Sequence, residues 1–190
     1  MSAHHIKTDY LQNVYNPNKF TDLVKKSIAT ANFIMSQVHF DSIVFTGSSG
    51  AAMAFILSIE MNIPLIHIRK RDGSHYLRYK DKDKNDSLIE GFLESKRYIF
   101  LDDMISSGET FRNVLNIMYE VQPKSECVGA FMYNYDHRDC RRLMHIEGQS
   151  DDGRCKTIIK EIEVPMFYNE KVKQTTFANF YDSGGACVSW

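Results

Sequence analysis

Residues 98 to 110 read Tyr-Ile-Phe-Leu-Asp-Asp-Met-Ile-Ser-Ser-Gly-Glu-Thr, an apolar run closed by two carboxylates and then a hydroxyl-rich turn. Carboxylates such as Asp102 and Asp103 accept hydrogen bonds from sugar hydroxyls and ligate hard cations. The hydroxyls of Ser106, Ser107 and Thr110 suit an anion, and Gly108 lets the backbone come close to it. Ile99, Phe100 and Leu101 form the short continuous apolar run of a strand buried on both faces. The acids then emerge at the carboxyl end of that strand, where open α/β sheets bind ligands. Phe111, Val114, Leu115 and Met118 recur at helical spacing just beyond. The turn therefore opens a helix whose first N–H groups and positive dipole end face an anion. Together these residues have the chemistry to hold a sugar phosphate. The plain alternative is a turn capped by two acids and an ordinary Ser-Ser-Gly connection.

A second stretch repeats the pattern. Phe45-Thr46-Gly47-Ser48-Ser49-Gly50-Ala51-Ala52 joins an earlier strand to its helix, with two glycines bracketing two serines. Such turns are common, and alone this one is a weak signal for a second anion site. Ile68-Arg69-Lys70-Arg71 ends another strand and leads into a polar segment with Ser74, His75, Tyr76, Arg78, Lys80, Lys82 and Lys84. Asp72, Asp81, Asp83 and Asp86 interleave with these cations, so a solvated charge run is the default reading. A polar stretch of this length inside a small domain is nevertheless unusual unless it binds something or moves.

The segment 98–110 resembles the phosphoribosyl pyrophosphate signature of type I phosphoribosyltransferases. Their signature is an apolar strand, an acidic pair, two mostly apolar residues, and a Ser/Thr/Gly loop closed by threonine. The resemblance implies that Asp102 and Asp103 lie along the ribose hydroxyls and hold Mg²⁺ directly or through water. It implies that Ser106, Ser107, Gly108, Glu109 and Thr110 wrap the 5′-phosphate, and that Gly47, Ser48, Ser49 and Gly50 receive pyrophosphate. Arg69 and Lys70 fall where adenine and orotate phosphoribosyltransferases put basic residues against the diphosphate, joining the acid pair among the catalytic candidates. Ser74, His75 and Tyr76 fall in the counterpart of their flexible catalytic loop. The implied activity is Mg²⁺-dependent transfer of phosphoribosyl to a nucleobase or related nitrogen heterocycle with release of pyrophosphate. The implied assembly is a homodimer. One position departs from the hypoxanthine-guanine enzymes: the loop begins with Ser106 where theirs has an aspartate near the purine. The same fold also serves as a non-catalytic sensor of phosphoribosyl pyrophosphate, the second reading of this chain.

The elements needed to position these residues alternate as a parallel sheet requires. Asn16 caps a helix with Pro17 at its first position, and Phe20, Leu23, Val24, Ile28, Ala31, Ile34 and Met35 recur at helical spacing. Strands are predicted at Ser42 to Thr46, Pro64 to Ile68, 98 to 102 and Cys127 to Tyr133, with a more exposed one at Thr157 to Val164. Helices are predicted at Gly50 to Met61 and 109 to 121. The expectation is one α/β domain over 1–190, with a central, mainly parallel sheet flanked by helices. Its core covers about 17–135, and the resemblance implies a small variable hood from 1–16, 136–190 or both. Phe167, Tyr168, Phe177, Phe180, Tyr181 and Trp190 are candidate base-stacking residues there, although aromatics more often fill cores.

Composition narrows the class of partner. The 190 residues are 43% hydrophobic and 25% charged with a net charge of −1, which gives no basic face for nucleic acid. No apolar run approaches the roughly 20 residues that span a bilayer, and the first residues lack a signal-peptide core, so a cytoplasmic protein is expected. The four cysteines form no Cys-x-x-Cys pair and read as free thiols in that compartment. His137, Cys140, His145 and Cys155 are suitable zinc ligands by type, but their spacing fits no compact structural-zinc pattern, and Arg138, Arg141 and Arg142 crowd them with positive charge. No Walker lysine follows Gly50 or Gly108, which disfavours a P-loop mechanism.

Overall fold

Apolar alternation along the strands, with helices on both sides to cover it, builds a seven-stranded sheet. The computed structural model describes residues 12–69, 88–134, 140–149 and 156–169. In chain order the elements are α1 (Gln12–Tyr15), α2 (Pro17–Gln37), β1 (Ser42–Thr46), α3 (Gly47–Met61), β2 (Leu65–Ile68), β3 (Ile89–Gly91), β4 (Arg97–Asp102), α4 (Glu109–Val121), β5 (Glu126–Met132), β6 (Cys140–Gln149) and β7 (Lys156–Tyr168). The strand order is β3-β2-β1-β4-β5-β7-β6. β2, β1, β4, β5 and β7 run parallel, and β3 and β6 close the two edges antiparallel.

The period of two sorts the core into two layers. Ile43, Phe45, Ile99 and Leu101 project to one face and pack with Ala31 and Ile34 of α2 and Met53, Ala54 and Leu57 of α3. Val44, Tyr98 and Phe100 project to the other, against Phe111, Val114, Leu115 and Met118 of α4. Val44 lies opposite Ile66 on one side and Phe100 on the other, so β1 and β4 are central and fully covered. α2 starts as its sequence dictates: the Asn16 side chain accepts from the amides of Asn18 and Lys19, both at 3.2 Å, with Pro17 next.

Several expected boundaries shift. α3 begins at Gly47 rather than Gly50, so the serines expected in a turn form the first turn of the helix. β3 and β6 are additional strands. β7 runs on past Val164 through Pro165 to Tyr168, because its pairing with β5 begins only at Met166 and the missing N–H of Pro165 lies where β6 is its sole neighbour. Residues 140–149 and 156–168 thereby extend the sheet itself beyond the expected core boundary at 135. Phe167 and Tyr168 are buried within the two core layers, so neither is an exposed stacking platform. Phe177, Phe180, Tyr181 and Trp190 lie outside the described residues. Among the described residues no helix is long and apolar enough to cross a membrane.

Candidate functional site

β1 and β4 are adjacent and parallel, so their carboxyl ends bring the 46–50 and 102–110 segments together. The Ser49 hydroxyl donates to Asp102 Oδ1 at 2.8 Å, which joins the two halves of the site directly. Asp102 Oδ1 also accepts from the Asp103 amide at 2.9 Å. The two backbone carbonyls are fixed from β5: Tyr133 N donates to Asp102 O at 3.0 Å and Asn134 N to Asp103 O at 2.9 Å. Beneath them the phenol of Tyr133 donates to the Ser49 carbonyl at 2.7 Å. Asn169, following β7, donates to the Tyr133 carbonyl at 2.6 Å and to Ser27 Oγ of α2 at 2.7 Å. The acid pair is thus held directly from α3 and the end of β5, and Tyr133 is tied in turn to the residue after β7 and through it to α2.

Asp102 and Asp103 are 7% and 4% exposed. Burial and the Asp103 carboxyl beside it push Asp102 from the ordinary 3.8 up to about 7, against the opposing hydrogen bonds from Ser49 and the Asp103 amide. Burial, and then the charges of Asp103 and Asp102, also raise the Tyr133 phenol, keeping it a neutral donor. Asp103 Oδ2 is buried without a hydrogen-bond partner. Two carboxylates at such close quarters, one oxygen unpaired, form a donor set that fits a hard cation. Among the described residues no group of three or more His, Cys, Asp or Glu gathers for a metal, and of the zinc series His137 and Cys155 lie outside those residues.

The two helices that start beside the acids lack the side-chain cap that α2 has. Thr46, the cap residue of α3, makes no side-chain cap bond, and neither does Gly108, the cap residue of α4. At α4 the Glu109 amide already donates to Ser107 Oγ at 3.3 Å, and the remaining first-turn N–H groups of the two helices point the way a helix start receives an anion. Gly47 and Gly108 have φ of +65° and +80°, a left-handed conformation that side chains disfavour. Gly50 is a glycine for another reason: a Cβ there would stand 3.1 Å from the Leu101 carbonyl oxygen and 3.1 Å from Phe45 Cβ. It lets α3 pack closely on β1 and β4.

Arg69, at the end of β2, is ion-paired with Glu90 of β3, and its amide donates to the Leu88 carbonyl at 2.8 Å. Lys70, Ser74, His75 and Tyr76 lie outside the described residues. Two residues join the site that motif reading passed over. Tyr133 entered only as the end of a strand, and Arg142 only as a charge near the zinc series. Arg142 Nη2 lies 3.4 Å from the Ser106 carbonyl, and its Nη1 is 3.1 Å from where a Cβ of Gly108 would be. The signal for Arg142 was the alternation Arg142, Met144, Ile146, which puts it on the α4 side of β6.

No protein-family model matches the chain. The chain is 31% identical over 107 residues to "HGPRTase-like protein 1" of Haloferax volcanii, a match covering 54% of this chain and 55% of that protein. The chain thus spans about half the length of this curated relative. Among solved structures it is similar to Leishmania donovani UMP synthase, with 23% identity, a TM-score of 0.46, and 65% of this chain and 24% of that chain covered. It is also similar to Saccharomyces cerevisiae adenine phosphoribosyltransferase complexed with an iminoaltritol bisphosphate and adenine, with 17% identity, a TM-score of 0.44, and 61% and 68% covered.

Proposed function

We propose that this chain transfers the phosphoribosyl group of phosphoribosyl pyrophosphate to a nitrogen nucleophile of the nucleobase class, releasing pyrophosphate. The observation that carries the reading is the Ser49–Asp102 junction, where the buried acid pair stands between the starts of α3 and α4, neither of whose N-cap residues makes a side-chain cap bond. The similarity to the Haloferax protein supports it. In this reading the amides and hydroxyls of Ser106 to Thr110 take the 5′-phosphate, and Asp102 and Asp103 accept the ribose hydroxyls. Gly47, Ser48 and Ser49, with Arg69 and Lys70, take the pyrophosphate. Mg²⁺, held by Asp102 and Asp103 directly or through water, supplies charge neutralisation for the diphosphate. Departure of pyrophosphate leaves positive charge on the ribose ring, which the buried carboxylates stabilise while the helix starts stabilise the leaving anion. Tyr133 holds Ser49, and through it the orientation of Asp102.

Incubation with phosphoribosyl pyrophosphate, Mg²⁺ and a panel of purines and pyrimidines, with pyrophosphate release as the readout, tests this. Release that depends on one base, and that disappears in a folded Asp102→Asn/Asp103→Asn variant, is the expected result. Absence of both release and binding refutes the proposal. Tight binding without turnover on any base would favour the sensor reading.

A further inference from the structure

The guanidinium of Arg142 stands at the wrong end of a helix dipole. Positive charge is favoured at helix C-termini and opposed at N-termini, yet Arg142 meets α4 at Gly108, its N-cap residue. Among the described residues it takes part in no ion pair, and its one hydrogen bond is the long 3.4 Å contact to the Ser106 carbonyl. Nη1 is buried without a partner. Glu109 is the single acid in the first turn of α4 and is exposed. The position is not an accident of a surface strand, since Met144 and Ile146 on the same face of β6 are core residues and carry the arginine in beneath the loop. A guanidinium so placed, partly exposed and with one buried nitrogen unpaired, is complemented by an anion at the loop.

Resting on the assignment of the 106–110 loop to a phosphate, we propose that Arg142 is a ligand of that phosphate. Its Nη2 exchanges the weak Ser106 contact for a phosphate oxygen and supplies a charge from β6, an element outside the signature. The ligand class is a phosphate monoester on a sugar. Arginine suits this better than lysine, because its planar fork can present Nη1 and Nη2 together to two oxygens of one phosphate.

Calorimetric titration with ribose 5-phosphate, with ribose and with Mg²⁺–pyrophosphate, on wild type, Arg142→Lys and Arg142→Gln, tests it. Glutamine keeps a donor for the Ser106 carbonyl without the charge, and thermal unfolding checks that each variant is folded. The expected result is a roughly tenfold or larger loss for ribose 5-phosphate in Arg142→Gln. Lysine should give a smaller loss, with Mg²⁺–pyrophosphate affinity changed less than about twofold in both variants. Equal ribose 5-phosphate affinity across the three proteins overturns the role of Arg142 and leaves the loop assignment standing. Parallel losses for both ligands also overturn it, because they mark a structural strut. If the glutamine variant does not fold, the lysine variant decides by the same two comparisons. A wild type that binds ribose 5-phosphate no tighter than ribose removes the loop assignment, and this inference with it.

Discussion

Replacing Asp102 by asparagine should make the ligand-free protein more stable at pH 8 while abolishing the proposed transfer. The isostere keeps the oxygen that accepts from Ser49 and from the Asp103 amide. It removes a buried charge beside another carboxyl. In the folded protein Asp102 titrates near 7 instead of 3.8, so between these values the folded state holds a proton that the unfolded chain has released. Stability from this group is therefore fully present below about pH 4 and is lost as pH rises through 7. A displacement of that size corresponds to about 4 kcal/mol, and allowing half for water that reaches the open end of the sheet leaves about 2 kcal/mol. For a chain of this length that is about 6 °C in melting temperature. Thermal unfolding of both proteins from pH 4 to 8 should show a difference near zero at the acid end that grows towards pH 7 and then levels. A constant difference, or an asparagine variant less stable at pH 8, would refute the account of the buried acid pair.

Three further outcomes follow from the geometry. Gly108→Val must leave a φ of +80° and displace Arg142, so ribose 5-phosphate affinity should fall at least tenfold by calorimetry while stability drops by about 1–2 kcal/mol. Gly50→Ala places a methyl 3.1 Å from the Leu101 carbonyl and should cost about 1–3 kcal/mol in urea unfolding. At the opposite end of the sheet, burial opposes ionisation of Asp41, but hydrogen bonds from the Lys96 amide, Ser95 and the Arg97 amide outweigh it and hold its pKa below the ordinary value. Asp41→Asn should thus cost about 1–2 kcal/mol at pH 7, measured by urea unfolding, and the gap should close as pH falls below 4.

What the chain announced in advance was whatever local pattern decides. The run Ser42–Thr46 and the helix from Glu109 to Val121 end where apolar periodicity ends, and Asn16-Pro17 is a helix start in any setting. The acid pair and its loop were equally plain, because strand, carboxylates and glycine are contiguous. β3 and β6 were hidden for a tertiary reason. β3 has three residues and exists through its pairing with β2, and β6 carries Arg141, Arg142, His145 and Glu147 along an edge stabilised by β7. The α3 boundary was missed because glycine and serine are turn formers by composition, and only the left-handed Gly47 discloses that the helix begins there. Tyr133 and Arg142 reach the candidate site, at Ser49 and Ser106, through long-range register, which no linear motif records.

The placement of β4 in the middle of the sheet also governs when the acid pair comes into being. Its neighbours arrive from distant parts of the chain: Ser42 pairs with Tyr98, and Asp102 with Met132. Until β5 has emerged and docked, no amide of Tyr133 or Asn134 is present to fix the two carboxylates. Pairings between remote segments form slowly and late, after loop-closure entropy has been met. A sugar phosphate of the class proposed as ligand would consequently have no template to bind during early collapse. Under the proposed function it would meet its site only in the finished molecule, where it would act by slowing escape from the folded state rather than by hastening entry to it.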